Sequence, residues 1–267
     1  MAMRYSIITI NFNDKIGLER TINSVINQTC KDYEFIIIDG GSTDGSVDIV
    51  KKYDKNITYW ISEKDKGVYN AMNKGVAQAK GRYCIFMNSG DSFYSSYILE
   101  SVLDYQEDII CGKIIRGDST IPNGHNKESI SLVDLMRRSL PHQAMFINKE
   151  LLIKHPYDER YRILSDWKFS IESIIYENCS FRNIDLIIAN FDLSGISTTA
   201  CELFAKEREL ILPELLPSRI IEDYKRFTPI DDELFDIILQ LTQTIKIRNF
   251  IKKISKILLW IKIKTGR

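Results

Sequence analysis

Between Tyr5 and Asp91 four short apolar runs, YSIITINF, YEFIIIDGG, ITYWISE and RYCIFMNSGD, alternate with three stretches of helical periodicity. No other feature limits the fold as strongly. Strands that are apolar on both faces need a layer of structure on each side. Strand–helix–strand repeats with connections of this length build a parallel sheet through right-handed crossovers. The expected class is therefore α/β, a mostly parallel sheet flanked by helices. Gly17 to Gln28 repeats apolar residues at Leu18, Ile22, Val25 and Ile26. Ser42 or Thr43 stands where it could cap the helix in DGSVDIVKKY, and Lys80-Gly81 closes the helix GVYNAMNKGVAQA.

After Asp104 the pattern changes. DIICGKIIRG reads as a strand pair with a turn, SISLVDLMRRSL as a helix, and HQAMFINKELL as a strand followed by a helix. LSDWKFSIESIIYE reads as a helix, IDLIIANFDLSGIS as a strand and loop, and the chain is helical from Cys201 onward. This divides the chain into a domain over 3–200, with halves 3–104 and 105–200, and a helical extension over 201–267. The five cysteines form no C-x-x-C or Cys/His cluster, which argues against zinc or a disulfide framework and suits a reducing cytoplasm. The chain leads directly into a strand, so no signal peptide is expected. No apolar run approaches the ~18 residues of a membrane-spanning helix.

In open parallel sheets, ligands bind past the carboxyl ends of the strands. All four ends here are polar: Asn11 and Asn13, Asp39-Gly40-Gly41, Glu63 to Lys66, and Asn88 to Asp91. Four polar ends on one edge suit a ligand with several polar parts, although any one of them could be a simple turn or helix cap. DGGSTDGS is neither a Walker loop nor a G-x-G-x-x-G fingerprint.

SIITINFN, FIIIDGGSTDGSVDIV, EKDKGVYNAMNKGVAQAKGRYCIFMNSGD, PHQAMFI and LSDWKF, in this order and spacing, resemble the successive motifs of the family 2 inverting glycosyltransferases. The resemblance is nearest to the bacterial branch that builds capsule, O-antigen and exopolysaccharide, and it covers about Tyr5 to Leu193. It implies a GT-A-type nucleotide-binding sheet with an acceptor half. It also implies transfer of a hexosyl or N-acetylhexosaminyl group from a nucleotide donor, most simply a UDP-sugar. By position, Asn11, Phe12, Asn13 and Asp39 would hold the uridine, with Phe12 against the base and Asp39 on its edge. Asn70 and Asn73 would face the nucleotide. Met72 stands where the family often has arginine, and Lys74 could supply that charge. Asn88, Ser89 and Gly90 occupy the DXD position and would meet the sugar diphosphate. Asp91 would hold a divalent cation, Mn²⁺ or Mg²⁺, with phosphate oxygens completing its shell; alternatively it caps the following helix.

Inverting transfer needs a base near the acceptor hydroxyl. The resemblance makes Asp166 that base, with Ser165 in place of the usual first acid. It puts His142, Gln143 and Trp167 on the acceptor side. An aspartate at a helix start is also an ordinary cap, and a lone histidine is often structural.

Ile245 to Arg267 holds eight basic residues and no acid, which leaves the first 244 residues at −8. Its apolar residues gather on one face and its lysines on the other, with Trp260 near the end. That pattern suits a helix lying on an anionic membrane surface, or one packed on the domain with a solvated lysine face. The acidic body and the lack of a recognition motif argue against nucleic acid. The expectation is a cytoplasmic enzyme, peripheral on the inner face of the membrane, acting on a lipid-linked glycan of a surface polysaccharide repeat. A catalytically eroded sugar-nucleotide-binding scaffold is the main alternative. A nucleotidyltransferase ranks below it, for want of a basic triphosphate loop.

Overall fold

A computed structural model describes residues 3–117, 119–121, 130–193, 201–227, 247, 249–250 and 252–256. Strands β1 (Tyr5–Asn11), β2 (Tyr33–Asp39), β3 (Tyr59–Ser62) and β4 (Tyr83–Phe86) alternate with helices α1 (Lys15–Ile26), α2 (Ser46–Lys52) and α3 (Val68–Gln78). They pair in parallel in the order β3-β2-β1-β4. The apolar runs of β1, β2 and β4 are buried on both faces for the expected reason, and the edge strand β3 is half-buried. Ile7, Phe35 and Ile37 share a core with Leu18, Ile22 and Val25 of α1 and Ile49 and Val50 of α2. On the other face α3 lies so close to β1 that a Cβ on Gly75 would stand 2.4 Å from Cγ2 of Ile8. Only glycine permits that approach.

The second half continues the same sheet with mixed pairing. It runs β4, β8 (Met145–Asn148), β6 (Ile109–Arg116), β9 (Phe181–Phe191), β5 (Ser92–Phe93), and β7 (Ser119–Ile121) pairs with β6. DIICGKIIRG is one strand rather than a strand pair. Its Gly112 lies flat against β9, where a Cβ would meet Ile188 and the Leu186 carbonyl, and the β6–β9 register slips around Lys113. The remaining helices of this unit are α4 (Ile98–Ser101), α5 (Leu132–Arg137), α6 (Lys149–Lys154), α7 (Ser165–Ile171) and α8 (Cys201–Leu215). A π-type turn over Glu172–Tyr176 extends α7, with Glu177 N–H donating to the Glu172 carbonyl at 3.0 Å.

One compact unit runs through Leu215, and a second starts at Leu216 with α9 (Ser218–Phe227). Within the first, Glu207 of α8 accepts from the backbone N–H groups of Arg162, Ile163 and Leu164, just ahead of α7. The Arg208 guanidinium sits 4.8 Å from the centre of the Trp167 ring. Most of 245–267 lies outside the described residues. Within it, the side chains of Ile247, Phe250 and Ile254 are exposed. Among the described residues no helix is long and apolar enough to cross a membrane.

Candidate active site

Parallel register brings the polar strand ends into one row: Asn11 is opposite Asp39, and Asp39 opposite Ser62. Asp39, fully buried, is the hub of that row. Its Oδ1 accepts from Asn11 Nδ2 at 2.7 Å and Ser42 Oγ at 2.6 Å. Its Oδ2 accepts from Ser42 N at 2.9 Å and Ser62 Oγ at 2.6 Å. Burial pushes this carboxyl up, but the hydrogen bonds from Ser42, Ser62 and Asn11 outweigh it and hold it below the usual carboxylate range. Four donors engage all four lone-pair sites, so Asp39 is not available to the edge of a base. Ser42 serves this hub; it does not cap α2, which begins after the left-handed Gly45. Asn13, at φ 52°, is tied through its N–H to Ser42 Oγ and through Oδ1 to Thr43 N–H.

Phe12 is left free, 66% exposed. Beside it the bare Cα of Gly40 opens a slot. A Cβ there would lie 3.2 Å from Phe12 Cδ2 and 3.2 Å from Oδ2 of Asp65. Asp65 Oδ1 is bound to Lys74 Nζ at 2.5 Å, and Lys74 also pairs with Glu63 at 2.7 Å. Lys74 is thus engaged by the loop's own acids and does not replace the arginine missing at the buried Met72. Asn70 and Asn73 are engaged within the protein, Asn70 Oδ1 accepting from Lys66 N–H in the loop after β3 at 3.1 Å. Asn73 exchanges hydrogen bonds with the backbone of Tyr157 at 2.8 and 3.0 Å, and Asn70 Nδ2 donates to Glu159 at 2.9 Å. Their expected nucleotide contacts are corrected to a clamp between α3 and the segment before α7.

The loop after β4 is held by α1. Ser89 Oγ donates to Asp14, the cap of α1, and Thr21 Oγ1 donates to the Asp91 carbonyl at 2.6 Å. Gly90, at φ 96°, gives its carbonyl to Arg20 Nε at 3.0 Å, and Arg20 also pairs with Asp192. Asp91 is 4% exposed, and its Oδ1 accepts from Asp192 N–H at 2.8 Å. Burial pushes its carboxyl up to about 6, against hydrogen bonds from Asp192 N–H and Gln143 and the attraction of His142. A divalent cation would want several hard oxygens facing one point. Here Asp91 is buried and bonded internally, Asp192 beside Gly90 is paired with the Arg20 guanidinium, and Gly90 offers no side chain. Among the described residues no three His, Cys or acid groups gather as a metal set. The residues present do not fit the expected cation, and Asp91 as its ligand is corrected to a buried structural acid.

Asp166 stands at the start of α7, with its side chain partly exposed. Its Oδ1 accepts from Tyr69 OH at 2.8 Å and from Trp167 N–H at 2.9 Å. Its Oδ2 faces His142 Nδ1 at 3.1 Å, and His142 Nε2 lies 3.1 Å from Asn88 Nδ2. Tyr69 is held well above the usual phenol range, by burial first and by the Asp166 charge second, so it stays a donor. Tyr69 carries no hint of this role in sequence, because it reads as an ordinary apolar position of α3.

Two acceptor-side expectations are corrected. Trp167 is 1% exposed and donates to the Leu135 carbonyl at 2.7 Å. Gln143 is buried against Asp91. Both are buried and bonded within the protein.

The site therefore has two open ends: an aromatic-plus-carboxylate slot at β1–β3, and a triply held carboxylate near the end of β4. Comparison with known proteins bears on the family and the fold. A 31% identical relative, the "PGL/p-HBAD biosynthesis glycosyltransferase" of Mycobacterium bovis, aligns over 74% of this chain and 80% of its own. Among solved structures, S. aureus TarS 1–349 in complex with UDP-GlcNAc superposes with a TM-score of 0.65 over 78% of this chain, at 19% identity. The mannosyltransferase PcManGT of Pyrobaculum calidifontis, in complex with GDP-Man and Mn²⁺, superposes with a TM-score of 0.58 over 78% of this chain, at 12% identity. The chain spans 65% of the length of each of these two solved chains, and the likeness to them establishes the GT-A fold. Residues 6–166 match the model of Glycosyl transferase family 2, and the chain belongs to that family.

Proposed function

We infer that the chain transfers a glycosyl group from a UDP-sugar to a hydroxyl of a growing, lipid-linked glycan, in one displacement that inverts the anomeric centre. The observation that carries this reading is Asp166, a carboxylate gripped from three sides yet partly open to solvent. Asp166 takes the acceptor's O–H proton as that oxygen bonds to the anomeric carbon. The bond from that carbon to the diphosphate breaks, and UDP leaves. Uracil presents a single N–H on its edge. Asp65 Oδ2 is the acceptor oxygen placed for it over Gly40, with Phe12 against the ring. The UDP-GlcNAc bound by the solved relative supports a uridine donor. No step is routed through a cation, because the residues do not fit one.

The curated relative is named for PGL/p-HBAD biosynthesis rather than for capsule or O-antigen, so the lipid-linked acceptor rests on the motif resemblance and the tail. Exposed Ile247, Phe250 and Ile254, with Lys252, Lys253 and Lys256 nearby, support a tail that rests on the inner face of the membrane.

Asp166→Asn should lower turnover on the order of 10²–10⁴-fold while UDP-sugar binding persists. Near-normal turnover in that variant would remove Asp166 as the base. The Asn88 and Gly90 departures favour one second reading, a sugar-nucleotide-binding scaffold. It would bind UDP-sugars and release no UDP from any of them.

A further inference from the structure

We propose that His142 is the positioning residue of Asp166 and that Asn88 fixes the tautomer of His142, so that neither contacts donor or acceptor. The inference rests on reading Asp166 as the base. Three elements distant in the chain meet here: α7, the turn before β8, and the loop after β4. An ionised carboxylate can only accept, so Asp166 Oδ2 requires the proton on His142 Nδ1. Nε2 of the neutral ring is then an acceptor, and the Asn88 amide meets it with Nδ2. The two neighbours of the ring therefore select one tautomer.

With Tyr69 OH and Trp167 N–H on Oδ1, the carboxylate of Asp166 cannot swing, and its remaining lone pairs keep one direction. Asn88 Oδ1 is buried and has no partner. Turning that amide over would present Oδ1 to Nε2, which only a protonated ring could satisfy. The amide's orientation and the ring's charge are thus one variable. A charged ring would compete for the negative charge that Asp166 uses on the acceptor. The other groups near His142 are Asp91 and Gln143, which are engaged with each other.

The first readout needs no substrate. The full chain has three histidines, so long-range proton–nitrogen NMR of the imidazoles can be assigned by substitution. At neutral pH the His142 ring should carry its proton on Nδ1, and Asn88→Ala should release it into a mixture of tautomers. A ring protonated on Nε2, or one indifferent to Asn88→Ala, overturns the proposal.

The second readout is kinetic, on the UDP-sugar from which the wild-type chain releases UDP. His142→Ala should lower kcat about 10²-fold, the scale expected of a misplaced reacting group, with KM for donor and acceptor unchanged. His142→Asn, whose amide can set an N–H where Nδ1 was, should recover most of that loss. A retained rise in melting temperature with UDP shows that each variant is folded. A raised acceptor KM with kcat intact would make His142 an acceptor contact and overturn the proposal. If Asp166→Asn is inactive while both His142 variants turn over normally, this inference fails and the base reading survives. If Asp166→Asn stays active, the base reading itself fails.

Discussion

Asp39 and Asp91 both lie at the carboxyl edge of the parallel strands, and both are almost wholly buried. They nevertheless end in opposite states. Asp39 collects two donors on each oxygen and is held below the usual carboxylate range. Asp91 receives only Asp192 N–H and Gln143, and is pushed up to about 6. Burial acts on both in the same direction; more donors hold Asp39 down, while fewer donors and the nearby Asp192 charge leave Asp91 raised. Asp39 has a fixed charge that organises three strand ends. Asp91 is close to neutral in the folded protein at mildly acid pH. In the proposed reading, ligand contact falls to Asp65 and Asp166 rather than to these two acids.

The comparison breaks most readily at Asp39. Asp39→Asn removes the charge and turns one of the two oxygens into an NH2, which faces either the Asn11 amide and Ser42 Oγ or the Ser42 N–H and Ser62 Oγ. It should destabilise the fold by roughly 3–5 kcal/mol, the scale of a broken buried charged network. Urea unfolding at neutral pH measures it, and a loss below about 1 kcal/mol would mean that the hub is not charged.

Asp91→Asn should do the reverse. A carboxyl raised in the folded state adds stability that is fully present below its unfolded value, near 4. That stability is lost as pH rises through about 6. The amide mimics the neutral acid, so the variant should gain up to about 3 kcal/mol over wild type above pH 7. The gain should vanish near pH 4. A variant that is weaker than wild type at pH 8 would show Asp91 to be a stabilised anion after all.

The smallest expected effect is on the open acid. Asp65→Asn should weaken UDP binding about tenfold, roughly 1.4 kcal/mol, and narrow the preference for UDP over CDP. Melting shifts with each nucleotide would read it, with and without Mn²⁺. Wild-type shifts that depend on Mn²⁺ would reopen the question of a cation at the β4 loop.

Much of the fold could be read from the chain. The apolar runs at Ile7, Phe35 and Ile85 mark strands covered on both faces, and all four parallel strands and their helices stand where periodicity put them. DIICGKIIRG misled because a glycine inside a strand looks like a turn, whereas Gly112 is there for the close approach of β9. Asp166 could be singled out from its motif, and its role as base is a proposal. Tyr69, the clamp roles of Asn70 and Asn73, and the burial of Trp167 and Gln143 were not legible. Side-chain direction on a short helix is set by what packs against it, and those neighbours lie 84 to 97 residues away in the chain for Asn73 and Tyr69.

The sequence by itself determined the parallel sheet, the polar edge where ligands bind, and the residue types gathered there. Those depend on local periodicity and on hydrophobic patterning, which the chain carries at each position. Only the tertiary structure decided which of those polar groups are free. Register placed Asn11, Asp39 and Ser62 in one row so that Asn11 and Ser62 both donate to Asp39, while Gly40 left Phe12 and Asp65 beside a slot. A hydrogen bond between strand ends depends on pairing across the sheet, and no local pattern encodes it.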